Sequence, residues 1–144
     1  MICQGACIRG MIDRLFVYGT LRQDVPNSKF ARLLEGEATL RARGRMKGRL
    51  FDLGNYPGFV ISADDDDTTW VQGEVYLLDN PRETLARLDD YEGCGADDPP
   101  PHPYERIERE VTLEEGGRTS AWVYVYRRRV DPAKEIRSGD YGGD

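Results

Sequence analysis

The sequence predicts an α+β fold: a single domain with a small mixed β-barrel core of about six strands, flanked by short helices. Three observations carry this expectation. Short runs of alternating or wholly apolar residues recur along the chain, most of them closed by a Gly, Pro or Asp turn. Two stretches instead place apolar residues at helical spacing. Gly44, Gly48 and Gly73 stand inside strand-like runs, where they would ease the sharp bends that closing a sheet demands.

Residues 14–18 read as a short buried strand that stops at Gly19. A loop covers 20–27, and Asn27 or Ser28 can cap a helix to about Leu34, with Phe30, Leu33 and Leu34 on its apolar face. Residues 38–40 form a weak strand, and residues 44–53 a second that ends at Gly54. Asn55-Tyr56-Pro57-Gly58 signals a turn, and residues 59–61 a short strand before the four acids at 64–67. The run 70–78 sets Val71, Gly73, Val75 and Leu77 on one face and Gln72, Glu74 and Tyr76 on the other. Pro81 opens a helix at a position where its missing N–H costs nothing, and Leu85, Leu88 and Tyr91 follow at helical spacing. Residues 93–103 form a Gly-, Pro- and Asp-rich loop. Residues 104–113 and 118–126 make a hairpin around Gly116-Gly117. Its return strand is apolar on both faces, with Trp122, Tyr124 and Tyr126 opposite Ala121, Val123 and Val125, which places it centrally in the sheet. The polar tail from Asp131 is expected to wrap the surface or fray. Residues 1–12 read as a flexible extension, with Met11 an alternative start, and residues 13–141 as the domain.

Composition narrows the function. The 144 residues are 39% hydrophobic and 32% charged, enough for one core and too polar for a spanning helix. A net charge of −6 argues against a nucleic-acid partner, which calls for a basic face. The Arg127–Arg129 run sits at a strand end and reads as solvated. The acids at 64–67 lack the alternating ligand spacing of a calcium loop. Three cysteines, an odd number, disfavour a disulfide framework and favour a reducing, cytoplasmic setting. One histidine, His102, leaves too few ligands for a catalytic metal. A Cys94–His102 thiol site is the chemistry these two residues could supply.

Two places stand out physically. A strand that stops at Gly19 leaves backbone N–H groups without ladder partners, and the turn at Tyr18, Gly19, Thr20 and Leu21 can gather them into an anion nest. An ordinary strand-to-loop turn is the bland alternative. Glu92 sits at a helix end before Gly93, where the helix dipole repels a carboxylate, so local folding does not ask for it. Partial burial there would raise its pKa and suit a general base. A solvated surface glutamate is the alternative reading.

Taken together, these residues resemble the γ-glutamylcyclotransferase-like superfamily. Phe16-Val17-Tyr18-Gly19-Thr20-Leu21-Arg22 is similar to its opening signature. Leu50-Phe51-Asp52-Leu53-Gly54-Asn55-Tyr56-Pro57-Gly58, Val71-Gln72-Gly73-Glu74-Val75-Tyr76 and Leu88-Asp89-Asp90-Tyr91-Glu92-Gly93 resemble later blocks, in the right order. Tyr104-Glu105-Arg106 and residues 121–126 fill the remaining slots, so the likeness spans 14–141. The resemblance implies a cofactor-independent enzyme that cyclises a γ-glutamyl group to 5-oxoproline and releases an amine or amino acid. It implies Glu92 as general acid/base, the backbone at Tyr18, Gly19, Thr20 and Leu21 as the γ-glutamyl site, and Tyr126 as a further substrate contact. The implied partner is a small γ-glutamyl molecule, with the chain a monomer or weak homodimer. Residues 88–94 look most like the γ-glutamylamine branch, whereas chain length and residues 137–141 look like small bacterial members. A non-catalytic module that binds a small amino-acid-like ligand in the same pocket is the competing reading.

If Glu92 and not Cys94 carries the chemistry, alkylating the thiols leaves 5-oxoproline release unchanged. Loss of turnover in step with Cys94 modification would reinstate the thiol reading.

Overall fold

The structure is a computed structural model that describes residues 12–18, 36, 38–53, 57–61, 69–92 and 103–139, with the backbone alone at 91 and 92. In chain order the elements are β1 (Arg14–Val17), β2 (Ala38–Lys47), β3 (Arg49–Asp52), β4 (Pro57–Val60), β5 (Trp70–Leu78), α1 (Pro81–Glu92), β6 (Tyr104–Leu113), β7 (Arg118–Tyr126) and a 3₁₀ turn at Pro132–Lys134. The expected helix at 27–34, the turn at 19–21, the acids at 64–67 and the loop bearing Cys94 and His102 lie outside the described residues.

Five strands close a barrel in the order β1-β5-β2-β6-β7. Four of its pairings are antiparallel, and the fifth joins β1 to β7 in parallel at Leu15↔Trp122, so the barrel is mixed, as expected. β3 and β4 form a separate two-stranded ribbon. The expected count of about six strands therefore resolves into five barrel strands plus this ribbon. Residues 44–53 are not one strand. The segment 38–47 runs unbroken through a bulge between Leu40 and Ala42, and the chain leaves the barrel at Gly48 to start β3. Only glycine fits at that exit, because a Cβ on Gly48 would lie 2.6 Å from the Phe59 ring.

Strand alternation sorts the core into two layers. Phe16, Met46, Val71, Val75, Val111, Ala121, Val123 and Val125 fill the barrel, with Leu50 and Phe59 of the ribbon packed in the same cluster. Leu15, Val17, Tyr76, Leu78, Tyr104 and Tyr124 take the other face, where Leu85 and Leu88 of α1 join them. β7 is central, as its two apolar faces predict: it pairs with β6 on one side and β1 on the other. Gly73 makes the tight β1–β5 approach possible, because a Cβ there would meet the Val17 carbonyl oxygen at 2.5 Å and the Phe16 ring at 2.6 Å. Close approach is thus a role for this glycine beyond the easing of bends that the sequence suggested.

The tail wraps rather than frays through residue 139. The Ile136 N–H donates to the Leu50 carbonyl at 2.7 Å, and one Arg49 nitrogen meets both carboxylate oxygens of Glu135 at 3.2 Å. The Gln72 N–H donates to the Gly139 carbonyl at 2.7 Å. Thus the tail takes up β5 backbone just past Val17↔Glu74, the last β1–β5 pair among the described residues. Among the described residues no helix is long and apolar enough to cross a membrane.

Gly73→Ala forces Phe16 and the β1 backbone apart and is expected to cost about 1–3 kcal/mol, read as a lower urea midpoint at unchanged m-value.

Candidate active site

The face of the barrel under α1 carries the polar groups. The ladders set Val17 beside Glu74, Glu74 beside Arg43, and Arg106 beside Tyr124. Because Leu15 pairs with Trp122 in parallel, two further residues along each strand bring Val17 level with Tyr124. One row thus crosses all five strands: Arg43, Glu74, Val17, Tyr124 and Arg106.

Glu74 is the surprise of this row. Its side chain is only 1% exposed, accepts the Tyr76 hydroxyl at 3.0 Å and lies 3.7 Å from the half-exposed Arg43 guanidinium. From sequence it was merely one residue on the polar face of β5. The signal that could have marked it is an acid flanked by Gly73, Val75 and Tyr76 in a strand with buried neighbours on both sides.

Tyr18 follows β1 with its side chain turned into the barrel layer. The ring stacks at a tilt on Phe59 with centroids 5.3 Å apart, and the hydroxyl donates to the Tyr124 carbonyl at 2.5 Å. The Tyr18 phenol is thus held in the core. Tyr126 lies one step beyond Tyr124 on the same face, half-buried, its ring edge-on to Tyr104 at 5.3 Å. Tyr104 in turn donates its hydroxyl to the Pro57 carbonyl at 3.0 Å, tying the start of β6 to the ribbon.

α1 lies over this row and brings the second half of the candidate site. Among its described side chains Thr84, Leu85 and Leu88 are buried, with Leu85 and Leu88 packed against the strand face. Asp89 lies beside Leu88 and anchors the last turn. It receives Arg106 through a two-pronged pair, Nε to Oδ1 at 2.7 Å and Nη2 to Oδ2 at 2.9 Å, and the Tyr124 hydroxyl at 2.7 Å. The Arg106 guanidinium lies over the Trp122 ring, 4.4 Å from its centroid. Glu92 is the final residue of α1, one turn after Asp89, at the helix end where the sequence placed it. No basic residue occupies this last turn, so the dipole gains nothing from the helix's own side chains.

Of the residues expected in the site, Tyr18 and Tyr126 are therefore described in full and Glu92 as backbone. Gly19, Thr20 and Leu21 lie outside the described residues. The hydroxyl, carbonyl and carboxylate of Tyr18, Tyr124 and Asp89 join the end of β1 to the last turn of α1. Tyr124, Asp89 and Arg106, which do the joining, were not singled out from the sequence.

This fold and site can be set beside known proteins. The family model described as gamma-glutamyl cyclotransferase, AIG2-like matches residues 15–143. The chain belongs to this family. It is 37% identical over 135 residues to the gamma-L-glutamyl-butirosin B gamma-glutamyl cyclotransferase of Niallia circulans, covering 92% of this chain and 78% of that protein. It is 32% identical over 138 residues to the human gamma-glutamylaminecyclotransferase, covering 82% of this chain and 80% of that one. The crystal structure of an AIG2-like protein from Mus musculus superposes with a TM-score of 0.63 at 28% identity, over 85% of this chain and 82% of the other. The family match takes in β1, the end of α1 and the docked tail, so the linked elements fall within one family domain.

Tyr104→Phe removes the hydroxyl bond to Pro57 but keeps the ring, and is expected to cost about 0.5–1.5 kcal/mol. Tyr104→Ala also empties the ring's place and is expected to cost about 3–5 kcal/mol. Paired urea melts separate the two.

Proposed function

We propose that this member of the gamma-glutamyl cyclotransferase, AIG2-like family cyclises a γ-glutamyl group to 5-oxoproline and releases an amine, with Glu92 as general acid/base. The substrate carries its own nucleophile. Its α-nitrogen attacks the γ-carbonyl carbon, a five-membered lactam closes, and the carbon–nitrogen bond to the departing amine breaks. Glu92 takes the proton from the attacking nitrogen and returns one to the nitrogen that leaves, so its own charge is restored at the end of the cycle. Holding the chain folded supplies most of the advantage of an intramolecular reaction, and no cofactor enters the proton balance.

In this reading the backbone from Tyr18 through Gly19, Thr20 and Leu21 binds the γ-glutamyl part and steadies the developing oxyanion. Tyr126 borders the same space. The observation that carries the reading is the direct link from Tyr18 to Tyr124 and from Tyr124 to Asp89, one turn ahead of Glu92. It supports a common cavity for the β1 turn and the helix end. The likeness of residues 88–94 to the γ-glutamylamine branch, which acts on ε-lysine crosslinks, favours an ε-lysine amine as leaving group, and the name of the human relative accords with an amine as the group released. The enzyme is taken as cytoplasmic, a monomer or weak homodimer acting on a small molecule, with residues 13–141 as the working domain.

A turnover screen of γ-glutamyl amino acids, glutathione and γ-glutamyl-ε-lysine, with 5-oxoproline as readout, tests the reaction class. Glu92→Gln is expected to fold and to bind substrate, yet to lose about 10²-fold or more in turnover. Wild-type rates in that variant would remove Glu92 from the mechanism. Binding without turnover by the unmodified protein would favour a ligand-binding module instead.

A further inference from the structure

We propose that Asp89, Arg106 and Tyr124 form a positioning clamp that holds the last turn of α1 against β6 and β7 and thereby sets Glu92 relative to Tyr18, just after β1. The inference rests on the cyclotransferase reading for its catalytic consequence, and on described geometry for the clamp itself.

The clamp answers a local problem. The last turn of α1 contains Asp89, Asp90 and Glu92 and no basic residue. Carboxylates near the C-terminal end of a helix face the negative pole of its dipole, and that end frays most readily. A turn of this composition needs a cation from elsewhere. β6 supplies one in Arg106, whose planar fork matches the Asp89 carboxylate on both oxygens. The fork is itself oriented by the Trp122 face. Both partners are largely shielded, with side chains 23% exposed for Arg106 and 18% for Asp89. That separates this pair from the exposed Arg118–Glu110 pair on the same hairpin, whose side chains are 68% and 61% exposed.

Tyr124 makes the clamp more than a staple. Its hydroxyl donates to the same Asp89 oxygen that Arg106 Nε reaches, while its backbone carbonyl accepts the Tyr18 hydroxyl. One buried residue therefore fixes the helix through its side chain and the end of β1 through its main chain. Glu92 follows Asp89 by three residues, and residues at that spacing are near neighbours on a helix surface. A shift of the last turn would carry the proposed base with it, while Tyr18, just after β1, would stay bound to the barrel. The expected signature is a loss in the chemical step with substrate binding kept.

The test compares Tyr124→Phe, Asp89→Asn, Arg106→Gln and Arg106→Lys with Arg118→Gln as a control on the same hairpin. Turnover of γ-glutamyl-ε-lysine and hydrogen exchange at the α1 amides are both measured. Tyr124→Phe and Asp89→Asn are expected to lower kcat by about 10- to 100-fold with KM within about twofold of wild type. The last-turn amides of α1 should exchange faster in both, with far-UV circular dichroism unchanged. Arg106→Lys keeps the charge without the fork, so it should recover only part of what Arg106→Gln loses. Arg118→Gln should match wild type in both measurements. The clamp is overturned if kcat is unchanged in variants whose last turn has loosened, or if the loss falls wholly on KM. Should the unmodified protein release no 5-oxoproline from any γ-glutamyl substrate, the cyclotransferase reading fails by itself. Amide exchange then decides the clamp, and unchanged last-turn protection in Asp89→Asn overturns it.

Discussion

The parallel pairing of β1 with β7 is the contact on which the remaining architecture depends. β1 has four residues, too few to bury much surface by itself, yet Leu15, Phe16 and Val17 are almost wholly buried. It earns its place by lying between β5 and β7, so both of its edges are paired and both of its faces are packed. Without that strand the sheet would have two open edges and the two core layers would be exposed along the seam. Closure also fixes which strand ends lie side by side. It brings the end of β1 level with Tyr124, and the tail takes up β5 backbone beyond β1 through Gln72 and Gly139.

A second constraint concerns charge. Among the described residues, the face under α1 holds two buried or largely buried carboxylates, Glu74 and Asp89, in a protein of net charge −6. Each is met by an arginine from a neighbouring strand, Arg43 from β2 and Arg106 from β6. The two pairs differ in kind. Arg43 approaches from a half-exposed position at 3.7 Å, whereas Arg106 makes a two-pronged, partly buried bond with a ring at its back. The tighter geometry falls on the helix that ends at Glu92, where the dipole would otherwise loosen the last turn. Stability and placement of the proposed base are thus served by the same few atoms.

Much of this was legible in the chain. Period-two alternation marked β5, β6 and β7, and the apolar character of both faces of β7 announced a central strand. Pro81 and the spacing of Leu85 and Leu88 marked α1 from its first residue. Residue blocks around Tyr18 and Glu92 pointed to one family and one reaction class. The division of 38–53 was misread, since a bulge between Leu40 and Ala42 breaks the alternation without ending the strand. The true break comes at Gly48, for a reason that exists only once Phe59 is packed beside it.

By itself, then, the sequence determined the fold class and the family, and it nominated residues for catalysis, because those readings depend on local periodicity and on short ordered blocks. Tertiary structure alone decided that Glu74 is buried, that Gly73 marks a close approach, and that Tyr18 spends its phenol in the core. It alone joined Tyr124, Asp89 and Arg106, which lie 35 and 17 residues apart along the chain in the bonds they make to Asp89. Contacts at such separations leave no period in a sequence. They arise when a parallel strand pairing and a helix crossing bring distant segments within the 3 Å or so over which a hydrogen bond acts.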